Sequence, residues 1–208
     1  MRIESLKTTP DRAGRYWVTF SDGTKMALYR QTVEEFGLYT GMELEEQEWA
    51  RLETAAGEMS AKMRAIRIVS ASSVSKKDLQ QRLVHKGEDP EQAWKAIQWM
   101  EDLDLLDDRK TAEQIVQRCI AKGYGLARAK QALYEKKIPK HLWDAVLEDY
   151  PDQTQAIANF LRSKLGDDWG DKELKRAIDA AMRRGHSYQQ IRRALQLLQA
   201  DDEFPEEW

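Results

Sequence analysis

The chain has 208 residues, 41% of them hydrophobic and 33% charged, with a mean hydropathy of -0.74. That charged share exceeds the roughly 25% of an average globular domain, which suggests thin cores beneath a large solvated surface, as helices with charged outer faces provide. No apolar run is longer than the four residues Met26-Ala27-Leu28-Tyr29, and Cys119 is the single cysteine; a helical membrane span of about 20 residues, a secretory signal and an intrachain disulfide are therefore not expected, and the expected compartment is the cytoplasm.

The chain begins as β-structure. Arg2 to Thr8 reads as a weak strand, Arg15 to Phe20 as a strand rich in aromatic and β-branched residues, and Lys25 to Tyr29 as its return. Asp22-Gly23 between the last two is a hairpin turn signal. Gly37 and Gly41 punctuate a short connection, and Leu44 to Ala56 reads as a helix with an acidic first turn. From about Ala61 onward the pattern is helical. Ser75 with Asp78 three residues on has the spacing of a capping box. Pro90 suits a first helical turn, followed by the stripe Ala93, Ala96, Ile97 and Met100. Pro139 and Pro151 are expected to open further helices, and Gly87, Gly123, Gly125, Gly166, Gly170 and Gly185 to stop or separate them.

This helical part repeats. The segments Leu79–Gly87, Ala129–Lys137 and Ala177–Gly185 are basic helices that align at 87, 137 and 185, a period of 50 and then 48 residues. Six residues beyond each alignment point stands Ala93, Trp143 or Ile191, and ten beyond stands Ile97, Leu147 or Leu195. The expected fold is mainly α: three tandem three-helix repeats in an elongated, curved array, preceded by a small N-terminal β-hairpin segment. The expected boundaries are 1–57 for the β-rich segment with its short helix, then 58–107, 108–150 and 151–200 for the repeats, and 201–208 for an acidic tail.

Charge is segregated along the chain. Residues 1–58 carry a net -4, residues 59–200 a net +6 and residues 201–208 a net -5. A basic middle between acidic ends suits an anionic partner. Residues 117–140 hold seven cations, Arg118, Lys122, Arg128, Lys130, Lys136, Lys137 and Lys140, against Glu135 alone. Lysine and arginine there would hold phosphates or an acidic protein face, and Gly123 and Gly125 would bring backbone close at a helix N-terminus, a natural anion site. A second patch includes Arg183, Arg184 and Arg192, diluted by Asp167, Asp168, Asp171, Glu173 and Asp179, and a third holds Lys76, Lys77, Arg82 and Lys86. The alternative for every charge run is a solvated helix face. Three scattered histidines and one cysteine do not make a zinc set. Cys119 lies on a face with Ile115, Val116 and Ile120 and reads as a buried thiol. Asp107-Asp108 reads as a helix cap. Of the seven tryptophans, Trp143 reads as core, Trp94 and Trp99 as pointing to different sides of one helix, and Trp169 as a loop residue. No enzyme, cofactor or metal is expected.

On these residues the sequence resembles the RecX family, bacterial regulators of the RecA recombinase. Ser75-Lys76-Lys77-Asp78-Leu79 with Leu83 and Lys86-Gly87 resembles the family's Ser-x-x-Glu-Leu…Leu…Lys-Gly element, and Leu105-Leu106-Asp107-Asp108 with Ala112 resembles its Leu-Asp-Asp…Ala element. Lys122-Gly123-Tyr124-Gly125 with Leu133 and Ile138 resembles the middle repeat, and Arg183-Arg184-Gly185 with Tyr188 and Ile191 the third. The resemblance covers roughly residues 60–198. The chain departs from the family pattern at Asp104 and Lys137, where glycine is usual, at Thr111 in place of an aromatic, and at Glu88 and His186 in place of apolar residues.

The resemblance implies a non-enzymatic monomer that binds the RecA–single-strand DNA filament, and also double-stranded DNA. It implies restraint of ATP hydrolysis, strand exchange and co-protease activity in recombination, DNA repair and the SOS response. The residues it offers for that contact are Lys122, Gly123, Tyr124, Gly125, Arg128, Lys130, Lys136 and Lys137, with Lys76, Lys77, Arg82, Lys86, Arg183, Arg184 and Arg192. Two other readings stay open: a general nucleic-acid-binding helical module, and a helical protein–protein scaffold without DNA binding. The acidic tail is expected to be mobile and to compete with anions for the basic patches.

Overall fold

The computed structural model describes residues 1–166 and 170–203. It is mainly helical, with one three-stranded antiparallel sheet at the N-terminus, and it divides into two compact units, residues 1–106 and the chain from Asp107 on.

In the first unit, strands β1 (Ile3–Leu6), β2 (Arg15–Phe20) and β3 (Lys25–Tyr29) lie in the order β1-β2-β3. The Asp-Gly turn forms as its residues dictate. The Asp22 carboxylate accepts from the backbone N–H of Thr24 at 2.9 Å and from its hydroxyl at 2.7 Å, and Gly23 takes φ 84°, a value that costs glycine little. β1 pairs with β2 through a register shift between Ile3 and Ser5, so that Ile3 faces Phe20 and Leu6 faces Val18. Strict alternation would put Ile3 and Leu6 on opposite faces; the irregularity returns both to the apolar side. There Ile3, Val18, Phe20 and Leu28 pack with Leu38, Leu44 and Leu52.

Helix α1 (Arg30–Glu35) follows β3 directly, where only a connection is expected from sequence. Helix α2 (Glu46–Ala71) is one continuous element of 26 residues, started by a capping box between Glu45 and Glu48. The expected helix ending at Ala56 therefore does not end there, and position 57/58 lies inside α2. Gly57 does not stop it; a β-carbon there would stand 3.5 Å from Gln92 Cγ on the helix opposite, ordinary contact. The run Ala55-Ala56-Gly57 hides the periodicity because small residues carry little apolar signal. α2 serves two cores: Leu52 in the sheet core, and Ala61 and Ala65 in a helical one.

Helices α3 (Lys76–His85) and α4 (Pro90–Asp102) complete that helical core. Ser75 caps α3 by accepting from Asp78 N–H at 3.1 Å, and Asp89 caps α4 through Glu91 and Gln92 N–H at 2.8 and 3.2 Å. The stripe Ala93, Ala96, Ile97 and Met100 is buried against Leu79 and Leu83. Trp99 packs on this core while Trp94 is exposed.

In the second unit, α5 (Asp108–Ala121), α6 (Leu126–Glu135) and α7 (Trp143–Leu147), the last preceded by a 3-10 turn at Lys140–Leu142, enclose Ala112, Ile115, Val116, Cys119, Ala129 and Leu133. Asp107 caps α5 through Arg109 and Lys110 N–H at 2.8 and 3.1 Å. Helices α8 (Thr154–Leu165), α9 (Asp171–Arg183) and α10 (Tyr188–Glu203) enclose Ile157, Leu161, Ala181, Ile191 and Leu198. The helix α10 continues through Glu203, so Asp201–Glu203, assigned to the tail from sequence, have helical backbone. The rest of the acidic tail and Trp169 lie outside the described residues.

The three alignment points recur as one motif. Residues 87, 137 and 185 have φ of 88°, 56° and 88°, each just past the second helix of a three-helix set. Their N–H groups donate to Val84, Tyr134 and Met182 carbonyls at 2.9, 2.8 and 2.9 Å, and the next residues, Glu88, Ile138 and His186, donate to Leu83, Leu133 and Ala181 carbonyls at 3.1, 3.0 and 3.4 Å. This paired closure satisfies helix-end carbonyls.

Candidate functional site

The Gly-x-Gly segment of the middle set turns out to be a joint. The first N–H groups of a helix have no partner within it, and the last carbonyls have none either. Here the two ends satisfy each other: Gly125 N–H donates to Arg184 carbonyl at 2.9 Å and Ala127 N–H to Gly185 carbonyl at 3.3 Å. The positive end of α6 thus meets the negative end of α9, a favourable dipole pairing. Contact this close requires glycine on both sides. A β-carbon at Gly125 would lie 2.1 Å from the Gly185 carbonyl oxygen, and one at Gly185 would lie 2.3 Å from Arg128 N.

Side chains seal the joint. Arg184 donates to the Lys122 carbonyl, and its guanidinium lies 5.0 Å from the Tyr124 ring centre and 4.6 Å from that of Phe160. His186 Nε2 stands 3.0 Å from the Gly123 carbonyl oxygen, so Nε2 carries the proton and donates. Burial pushes the imidazole below its usual pKa; the Gly123 bond opposes this, and the nearby Arg184 charge adds to it. Tyr150 donates its hydroxyl to the Tyr124 carbonyl at 2.6 Å, and burial pushes its phenol up to about 12. The α6 N-terminus is therefore not the open anion site expected from Gly123 and Gly125: α9 fills it. Gly123, Tyr124, Gly125 and Arg184 are committed to this joint.

Among the described residues, some of the remaining cations have a partner and others have none. Arg128 reaches Glu135 at 3.2 Å, Arg82 reaches Asp78 at 2.8 Å, and Lys76 pairs with Glu101. Lys137, half-buried, has a partner of its own. Lys122, Lys130, Lys77, Lys86, Arg183 and Arg192 are exposed and Lys136 half-buried.

On α6, Lys130 is four residues from Leu126 and from Tyr134, so the three share a face; Leu126 and Tyr134 are 37% and 70% exposed. A cation between two exposed apolar groups, one aromatic, suits a phosphate with a stacked base or an apolar protein face with acidic neighbours. Tyr134 is missed by reading charge runs; the four-residue spacing outside the buried Ala129–Leu133 stripe is its signal. Val84 and Met182, 41% and 49% exposed, occupy the same position in the other two sets, three residues before 87 and 185 as Tyr134 is before 137.

Cys119 is buried and its thiol pKa is raised by burial, which disfavours a thiolate. Among the described residues no three His, Cys, Asp or Glu side chains converge as a metal set, and no helix is long and apolar enough to cross a membrane.

Comparison with known proteins agrees with this architecture. Residues 107–147 match the model of the second three-helix domain of RecX. The "Regulatory protein RecX" of Halorhodospira halophila is 27% identical over 154 residues, 73% of this chain and 96% of that protein. Its namesake in Vibrio campbellii is 29% identical over 140 residues, 66% of this chain and 90% of that protein. A solved structure described as regulatory protein RecX shares the fold with a TM-score of 0.63 at 18% identity, over 96% of this chain and 98% of its own. The chain is thus similar to RecX proteins in its second three-helix set, along most of the length of these relatives, and in its fold.

Proposed function

We propose that the protein is a non-enzymatic regulator that binds the RecA–single-strand DNA filament in the cytoplasm and inhibits its ATPase, strand exchange and co-protease activity. One observation carries the reading: each three-helix set presents an exposed apolar residue at the same place, Val84, Tyr134 or Met182, beside the basic residues Lys86, Lys136 and Arg183. A contact element repeated three times suits a partner that is itself repeated, as a filament of identical protomers on a strand is. The names of the relatives support the regulatory part, and the exposed cations without a partner among the described residues support an anionic partner.

The test is RecA ATPase on single-strand DNA with the protein titrated in. Inhibition by the wild type, lost in Lys122→Ala/Lys130→Ala/Tyr134→Ala with unchanged circular dichroism, is the expected result. Arg128 and Arg184 are left out of that variant because they hold structure. Retention of DNA without any effect on RecA would favour the general nucleic-acid module, and no binding to either at low salt would favour the scaffold.

A further inference from the structure

The first unit holds a cleft of about 390 Å³ between the end of the hairpin, α2 and the last turn of α3. Five cations line it, Arg15, Arg64, Arg67, Arg82 and Lys86, and no carboxylate does. Arg82 and Lys86 belong to the third basic patch of the sequence, but Arg15, Arg64 and Arg67 come from elsewhere in the chain, so their convergence on it is invisible as a charge run. Three are anchored by carboxylates outside the lining. Arg15 donates to Asp11 at 3.0 and 2.8 Å, Arg82 pairs with Asp78 at 2.8 Å, and Arg64 lies 2.5 Å from Glu88. Arg64 also donates to the Lys86 carbonyl at 3.2 Å.

Arg67 is different. It is held by neutral acceptors, the Tyr29 hydroxyl at 2.6 Å and the Met63 carbonyl at 3.1 Å, so its position is set while no carboxylate among the described residues offsets its charge. Lys86 also has no carboxylate partner among the described residues. A concave wall of positioned guanidinium groups with surplus charge matches a phosphate, which accepts the paired N–H bonds of arginine.

The geometry points to a phosphate-binding subsite in this cleft, with Arg67 and Lys86 as contacts and Arg15, Arg64 and Arg82 as its charged walls. A nucleic-acid strand is the favoured source of the phosphate. Trp17 lies two residues along β2 from Arg15 and on the same face, is 37% exposed, and has the Arg15 guanidinium 5.9 Å from its ring; it offers a base an aromatic surface next to the phosphate. The subsite lies in the unit that does not contain α6 and is independent of the α6 interface.

Anisotropy of a labelled oligothymidylate with the full chain, across a salt series, tests it. Arg67→Ala/Lys86→Ala is expected to weaken binding several-fold and to lower the salt slope by about 1.4, from two lost contacts at about 0.7 each. Lys86→Glu, at an exposed position, should weaken binding in the same sense without unfolding the chain. A free phosphate source is separated by melting curves: inorganic phosphate or a nucleoside triphosphate would raise the Tm of the wild type and not of the double variant, whereas a strand-specific site responds to the oligonucleotide alone.

Wild-type affinity and slope in both variants, with no difference in phosphate response, would overturn the subsite. Competition by polyglutamate as strong as that by the oligonucleotide would also overturn it, in favour of an acidic protein partner. RecA ATPase distinguishes this failure from that of the proposed function. Full inhibition by variants that bind oligonucleotide normally sinks the cleft alone. A wild type without effect on RecA, but with a phosphate response abolished in the double variant, sinks only the filament reading.

Discussion

Gly87 and Gly185 both follow the second helix of a three-helix set at φ 88°, and each precedes a buried polar residue, Glu88 or His186, whose N–H closes the turn on a carbonyl five residues back. Their surroundings differ. Nothing lies within 4 Å of where a β-carbon on Gly87 would stand, whereas one on Gly185 would collide with Arg128 backbone. Glu88 turns back to α2, accepting from the Ser60 hydroxyl at 3.0 Å and pairing with Arg64 at 2.5 Å. His186 reaches across to Gly123 in the preceding set. The same backbone motif is a helix stop in one place and a joint between helical sets in the other. A glycine shared by repeats can thus have two causes, conformation and close approach, and only the second couples one repeat to the next.

Replacing each glycine by alanine separates the causes. Gly87→Ala meets only the left-handed penalty, about 1–2 kcal/mol. Gly185→Ala adds a backbone collision that no side-chain rotation relieves, and its loss is expected to exceed about 3 kcal/mol. Denaturant unfolding of both variants gives the comparison; equal losses would break it. Gly125→Ala, on the other side of the joint, should behave like Gly185→Ala.

The polar residues after the glycines come next. Glu88→Ala strips Arg64 of its carboxylate and leaves the Ser60 hydroxyl without its acceptor. Removing one partner of a fully buried pair costs about 3–5 kcal/mol; the Arg64 side chain is 32% exposed, so screening reduces the expected loss to about 1–2 kcal/mol. Glu88→Gln keeps an acceptor for Ser60 and should lose less.

A smaller effect is expected at His186, and it depends on pH. Burial lowers its folded pKa below the ordinary 6.5, so below that pH the unfolded chain binds a proton that the folded one resists, and stability falls as pH falls. Nδ1 is buried without a hydrogen-bond partner among the described residues, so a second proton there would be uncompensated beside Arg184. Melting temperatures at pH 7.5 and 5.5 should converge in His186→Gln relative to wild type; an identical pH response in both would exclude the joint as the source.

Much of this was legible in the sequence. The 50- and 48-residue spacing located the three left-handed turns, because the residues that end helices are few and their reasons local. Ser75, Asp107, the Asp22-Gly23 turn and the Ala93–Met100 stripe were legible for the same reason. The continuity of α2 was not, since Ala55-Ala56-Gly57 carries neither period nor punctuation. The site was less legible than the fold. Charge runs register how many cations a segment has, but not whether Arg184 spends its guanidinium on Tyr124 and Phe160, or whether Arg15, Arg64 and Arg67 converge. Those outcomes depend on contacts between segments, to which a linear reading is blind.

The smallest effect concerns the two turns where glycine is absent. Lys137 has φ 56° and Asp104 φ 55°, the left-handed region in which a β-carbon crowds the carbonyl at about 1–2 kcal/mol. Both residues close helix ends in the manner of Gly87: Lys137 N–H donates to Tyr134 carbonyl at 2.8 Å and Asp104 N–H to Glu101 carbonyl at 2.8 Å. The hydrogen bonds are therefore already made, and glycine would relieve strain without changing them. Aspartate tolerates this region better than lysine, so Lys137→Gly should stabilise by about 1 kcal/mol and Asp104→Gly by less, after the entropy that glycine gains in the unfolded chain. Lys137 has a further interaction that glycine would forfeit, and Lys137→Asn, which keeps a polar side chain suited to this region, isolates the backbone contribution. A rise in Tm for Lys137→Gly and for Lys137→Asn would show that the middle turn is strained where the outer two are not. A fall in both would mean that the Lys137 side chain holds the turn.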